Sequence, residues 1–173
     1  NVSILAENSF ACLTTIALAA RKKMRNPVIA ITGSVGKSST RLMIEHFIQD
    51  QLRFVATRGN HNTQSGVPLY GTKLCTNPQL GILEVSLNAL NNRGNQSLTI
   101  QPDVAIVTSI GEAHLSTLHS TENIALFKAR IFDGLRNGRL VILNKNIQKT
   151  ELNVLQQQAK KKTSRIKYYS MKD

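Results

Sequence analysis

Gly33, Gly36, Lys37 and Ser38 stand in the run Gly33-Ser34-Val35-Gly36-Lys37-Ser38-Ser39, directly after the apolar segment Val28-Ile29-Ala30-Ile31-Thr32. Two glycines between a β-branched run and a helix-forming segment make a strand, a tight turn and a helix N-terminus. Backbone N–H groups and the positive end of the helix dipole converge at such a turn, which makes it an anion site. Lys37 adds a point charge for a terminal phosphate, and the Ser38 hydroxyl suits a Mg2+ ion bridging phosphate oxygens. The full phosphate-loop pattern asks for a glycine five residues before Gly36, where Ile31 stands, so this is a shortened form, Gly-x-x-Gly-Lys-Ser. The plainer alternative is a strand-to-helix turn with an exposed lysine. Its place behind a buried strand favours nucleotide phosphate.

Other residues offer chemistry that would complement a phosphate site. Glu84 closes the apolar run Leu80-Gly81-Ile82-Leu83. It is either a strand-end carboxylate in solvent or a Mg2+ ligand contributed by a neighbouring strand. His114, in Thr108-Ser109-Ile110-Gly111-Glu112-Ala113-His114-Leu115, follows another strand end and could serve as a second cation ligand or a phosphate contact. Glu112 and His119 read as solvated loop residues, and His46 as a structural helix residue. Lys128 falls on the apolar stripe of Ile124, Phe127, Ile131 and Leu135. Either its stem snorkels to water, or it is a desolvated amine of depressed pKa. A neutral amine can add CO2 and become a carbamate, an anionic oxygen ligand suited to Mg2+. Asn60 and Asn62, between Gly59 and Gly66, read by themselves as turn formers.

These residues need a frame, and the hydrophobic periodicity supplies one. Helices are expected from about Glu7 to Met24, from Ser38 to Gln51, from Thr121 to Leu135 and from Ile147 to Lys162. In the second of these, Leu42, Met43, Phe47 and Ile48 form the expected inward stripe. Strands are expected at Val28–Thr32, Phe54–Thr57, Leu80–Val85, Asp103–Thr108, Leu140–Asn144 and Arg165–Tyr169. This alternation argues an α/β fold, a doubly wound, mainly parallel sheet flanked by helices. Ligands bind such sheets beyond the carboxyl ends of the strands. The residues from Gly33 to Ser38, Asn60, Glu84, Gly111 to His114 and Asn144 all fall there.

Composition narrows the partners. The chain has 173 residues and a net charge of +12, which favours anionic ligands such as nucleotides or phosphorylated substrates. Nucleic acid is disfavoured, because the basic run Lys160-Lys161-Lys162 with Arg165 and Lys167 brings only Tyr168 and Tyr169 as stacking aromatics. No apolar run is long enough to span a bilayer, so no membrane role is expected. Two cysteines without metal-ligand spacing make the reducing cytoplasm the default compartment.

Taken together, the segments from about Asn26 to Asn144 resemble the central ATP-binding domain of the Mur ligase family. Ile31 to Ser38 looks like that family's shortened phosphate loop, in a P-loop NTPase-like fold. Glu84-Val85-Ser86 is similar to its metal-binding glutamate, Ala113-His114-Leu115 to its metal-associated histidine, and Lys128-Ala129-Arg130-Ile131-Phe132 to the segment holding a carbamylated lysine. Gly59-Asn60-His61-Asn62 with Gly66-Val67-Pro68-Leu69 most resembles the branch that adds D-alanyl-D-alanine to a UDP-linked muramoyl peptide.

The resemblance implies a catalytic set of Lys37, Lys128, His114 and Asn60. Gly33, Ser34, Val35, Gly36, Lys37, Ser38 and Ser39 would cradle ATP. Ser38 and Glu84 would hold one Mg2+, His114 and carbamylated Lys128 a second. It also implies a division into an N-terminal helix and linker over 1–25 and the ATP-binding domain over 26–173, incomplete at its C-terminal side. The family's flanking domains, for the UDP-sugar and the incoming amine, would be needed for ligation, and the fragment alone is expected to be inactive. Two alternatives stay open: a relative making cyanophycin, polyglutamate or folylpolyglutamate, and a non-catalytic nucleotide-binding module.

Overall fold

The computed structural model describes residues 5–112 and 115–170. In chain order the elements are α1 (Ser9–Lys23), β1 (Val28–Thr32), α2 (Lys37–Ile48), β2 (Phe54–Ala56), α3 (Gly66–Thr72), β3 (Leu80–Glu84) and α4 (Ser97–Ile100). They continue with β4 (Val104–Val107), α5 (Leu115–Leu118), α6 (Thr121–Ala129), β5 (Leu140–Asn144), α7 (Lys149–Lys160) and β6 (Ile166–Tyr169). Tight 3-10 turns follow α3, precede α4 and extend α6 through Arg130–Phe132. The six strands form one parallel sheet in the order β2-β3-β1-β4-β5-β6. β1 lies between β3 and β4, so the loop leaving β1 is flanked by the ends of both neighbours.

Alternation along each strand divides the core in two. Val28, Ala30, Leu83, Val85, Ala105, Val107, Val141 and Leu143 face one side, under α1, α3, α4, α6 and α7. Ile31, Ala56, Leu80, Ile82 and Ile106 face the other, where Ile44 and Ile48 of α2 pack against them. Burial on both faces is what makes these strands read as near-continuous apolar runs.

The structure corrects the expected face of α2. Leu42, Met43 and Phe47 are 54%, 61% and 71% exposed, while Arg41 and Glu45 are buried. The helix is rotated so that its charged residues, with Ile44 and Ile48, meet the sheet. The physical reason is a buried carboxylate at the end of β3 that needs a countercharge.

At the opposite edge of the sheet, α1 is anchored by a buried ion pair. Asp103 Oδ2 accepts from Arg21 Nη2 at 2.6 Å and from the Val28 N–H at 3.0 Å. Arg21 Nε also donates to the Ile100 carbonyl at 2.8 Å. Removing one partner of such a pair strands an uncompensated buried charge. Asp103→Ala should therefore cost about 3–5 kcal/mol of stability in a urea titration. Arg139→Ala, which removes a half-exposed contact to the same carboxylate, should cost less than about 1 kcal/mol.

Candidate phosphate and metal site

The loop between β1 and α2 takes its shape from two glycines. Gly36 precedes the helix in the left-handed region at φ 84°. Gly33 lies against β4 so closely that a Cβ there would stand 1.9 Å from Thr108 Oγ1. β4 then braces the loop. Thr108 Oγ1 donates to the Val35 carbonyl at 2.6 Å, and the Ser109 carbonyl accepts the Ser34 N–H at 3.0 Å. Ser109 Oγ accepts the Val35 N–H at 2.9 Å, and Ser34 Oγ accepts the Gly111 N–H at 3.0 Å.

The Ser34 and Val35 amides are thus turned to the brace. The amides facing outward for an anion are those of the first turn of α2, from Gly36 to Ser39, because helical bonding begins with Thr40 N–H to the Gly36 carbonyl. Thr108 and Ser109 are positioning residues that sequence reasoning missed; Gly111 is expected at the strand ends, and its role in the brace is new. The available signal was a pair of hydroxyls directly after an apolar strand.

Glu84 is fully buried at the end of β3. Its Oε2 accepts from Ser38 Oγ at 3.0 Å, and its Oε1 accepts from Arg41 Nε at 2.7 Å. Arg41 also pairs with Glu45, which in turn pairs with Arg58. Burial works against the Arg41 charge, but its hydrogen bonds and charge attraction to Glu84 and Glu45 outweigh this and raise its pKa. The Ser38–Glu84 oxygen separation of 3.0 Å matches the edge of a Mg2+ octahedron with bonds of about 2.1 Å. Among the described residues no group of three or more His, Cys, Asp or Glu could hold a metal. The pair therefore suits an ion completed by phosphate oxygens and water, which is the habit of Mg2+. The buried hydroxyls Thr32 Oγ1 and Ser86 Oγ, at the same strand ends, have no partner among the described residues.

Two lysines enter from opposite sides of the sheet. Lys37 Nζ donates to the Gly33 carbonyl at 2.7 Å; burial lowers its pKa, against the attraction of Glu84. Lys128 is only 2% exposed, which decides against snorkelling. Burial first, and then the charge of Lys37, push its pKa down to about 8. About a tenth of such an amine is neutral at pH 7.

The structure brings together Lys37, Ser38, Glu84 and Lys128, and adds Arg41, Glu45 and Arg58. Asn60 is exposed in the turn after Gly59, and among the described residues no hydrogen bond joins it to this cluster. Its loop is tied to the β3 end instead by the Ser86 N–H, which donates to the Asn62 carbonyl at 2.8 Å. Asn144 donates from Nδ2 to the Thr108 carbonyl at 2.8 Å and so steadies the bracing segment. His114 lies outside the described residues.

Comparison with known proteins identifies the family of the chain. Residues 31–173 match the family model described as the Mur ligase middle domain. The chain is 33% identical over 141 residues to the UDP-N-acetylmuramoyl-tripeptide–D-alanyl-D-alanine ligase of Rickettsia prowazekii, covering 82% of this chain and 31% of the relative. It is 34% identical over 139 residues to the enzyme of that name from Bacillus subtilis, covering 80% and 30%. The crystal structure of MurF from Acinetobacter baumannii superposes with a TM-score of 0.82 at 25% identity, over 96% of this chain and 36% of that one. MurF ligase from Thermotoga maritima, solved in complex with ADP, shares the fold with a TM-score of 0.78 at 21% identity, over 98% and 38%. The chain therefore spans about a third of the length of the relatives it matches. In sequence and in fold, it belongs to the Mur ligase family as a middle domain.

Proposed function

We propose that this chain is the ATP-binding domain of an ATP-dependent carboxylate–amine ligase of peptidoglycan precursor synthesis, acting through an acyl phosphate. The observation that carries this is the convergence of Lys37, the Ser38–Glu84 oxygen pair and the buried Lys128 at one end of the sheet. The relatives at 33% and 34% identity bear the name of the enzyme that joins D-alanyl-D-alanine to a UDP-linked muramoyl tripeptide. They favour that branch over ligases for cyanophycin, polyglutamate or folylpolyglutamate. A structural neighbour solved with ADP supports nucleotide as the ligand.

In this account a substrate carboxylate oxygen attacks the γ-phosphorus of ATP, and the bond to the β-phosphate oxygen breaks. The amine then attacks the acyl carbon and expels phosphate, leaving an amide, ADP and a released proton. Lys37 and the amides from Gly36 to Ser39 hold the β- and γ-phosphates and neutralise charge as it shifts between them. Ser38 and Glu84 would hold Mg2+, and His114 with the Lys128 carbamate a second ion. Mg2+ would supply charge neutralisation at the phosphates. Lys128 is suited to carbamylation because its lone pair is available in the neutral fraction; the nitrogen bonds the carbon of CO2 and a proton leaves to water. Asn60, on its exposed turn, would face the reacting phosphate or carboxylate. The rest of a longer polypeptide would bring the UDP-linked substrate and the amine to this edge.

Calorimetric titration with ADP and Mg2+ tests the nucleotide site. The wild-type chain should bind saturably, and Lys37→Ala should bind about tenfold more weakly or worse, as expected for a lost charged hydrogen bond. Equal affinities, or no heat in the wild type, would contradict it. A second test concerns Lys128. Its charge is disfavoured in the fold, so the unfolded chain binds more protons between the folded value of about 8 and the ordinary 10.5. Lys128 should make stability rise with pH across that window by up to about 3 kcal/mol, and Lys128→Met should show a clearly smaller rise, the remainder coming from Lys37, in denaturant titrations at pH 8 and pH 10.

A further inference from the structure

We propose that Arg41 is a positioning residue that restricts Glu84 to single-oxygen metal coordination, and so gives the site its preference for Mg2+ over Ca2+. The inference rests on the nucleotide function proposed above. Arg41, Glu45 and Glu84 are all buried, at 7%, 8% and 0% exposure. Burying three charges on and under one helix is costly unless each is paired in good geometry, and here each is. Arg41 Nε holds Glu84 Oε1 at 2.7 Å, and its Nη1 holds Glu45 Oε1. The second oxygen of Glu45 is held by Arg58, from the segment after β2. The guanidinium is therefore fixed at both ends, and Glu84 Oε1 is committed to it.

Only Oε2 remains toward Ser38, 3.0 Å from its hydroxyl. A carboxylate held in this way offers one oxygen to an ion. Ca2+ takes six to eight oxygens at about 2.3–2.6 Å and readily uses both oxygens of a carboxylate. Mg2+ demands an octahedron with bonds of about 2.0–2.1 Å and is content with one. Freed from Arg41, Glu84 could swing to present both oxygens, and the discrimination would fall. Lysine cannot replace this arrangement, since a single ammonium lacks the planar fork that engages Glu84 and Glu45 at once.

The test is calorimetric affinity of the ADP-loaded chain for Mg2+ and for Ca2+. It compares wild type with Arg41→Lys and Arg58→Gln, with thermal melts run in parallel. Arg41→Lys keeps the buried charge, and Arg58→Gln removes only the half-exposed end of the relay. The wild type should favour Mg2+. Arg41→Lys should lower the Mg2+-to-Ca2+ affinity ratio about tenfold, mainly by gaining Ca2+ affinity, and Arg58→Gln should shift the ratio the same way by less. A general loosening of the fold would weaken both ions together and leave the ratio in place. A ratio unchanged within about twofold in both variants overturns the inference while leaving the nucleotide site standing. A wild type that binds neither ion with ADP overturns both.

Discussion

A carboxylate sealed from solvent, Glu84 at the end of β3, sets the terms for its surroundings. In a low-dielectric position it requires a cation and hydrogen-bond donors. Arg41 and Ser38, both on α2, supply them. To bring Arg41 inward, α2 must turn its charged side to the sheet, and Glu45 must follow to complete the guanidinium's bonding. Leu42, Met43 and Phe47 are then left on the outside. The inverted polarity of this helix is a consequence of one buried charge in the strand beside it.

The same demand orders the phosphate loop. Ser38 can reach Glu84 only if the first turn of α2 begins directly after Gly36, and that start is held by Thr108, Ser109 and Gly111 from the segment that follows β4. Strand order makes this possible, because β1 lies between β3, which carries the carboxylate, and β4, which carries the brace. Lys37 and Lys128 add positive charge in a desolvated space, where Glu84 attracts Lys37 and the two ammonium groups repel each other. The site as built has cations in excess. An incoming polyphosphate would relieve Lys37 and Lys128 of their mutual repulsion.

Much of this was legible in the sequence, for physical reasons that differ by element. The strands could be read because a two-sided core demands continuous apolar runs, and β1 and β5 fall where those runs are. The place of Lys128 on the apolar stripe could be read from helical spacing, but spacing left snorkelling open, and its 2% exposure is what decides for burial. The face of α2 could not, since four apolar residues at helical spacing outweigh a charged pair unless the need of Glu84 is already known. The 3-10 turns and the four-residue α4 are too short to leave a periodic trace. The brace from Thr108 and Ser109 is a tertiary contact across more than seventy residues: two hydroxyls after an apolar strand are visible locally, but the loop they meet is not. Asn60 shows the converse. Its motif was clear, yet its side chain lies exposed on a turn, so its part in the chemistry depends on what the loop meets there.

The central claim is that the end of β1, with Ser38 and Glu84 beside it, is a nucleotide-phosphate and Mg2+ site. The direct measurement is the position of the β-phosphate in a crystal structure of this chain with ADP and Mg2+. The account requires the phosphate on the amides from Gly36 to Ser39, with the ion bound to Ser38 Oγ and Glu84 Oε2 and Arg41 still on Oε1. A nucleotide bound elsewhere, or an ion that leaves Glu84 untouched, would contradict it.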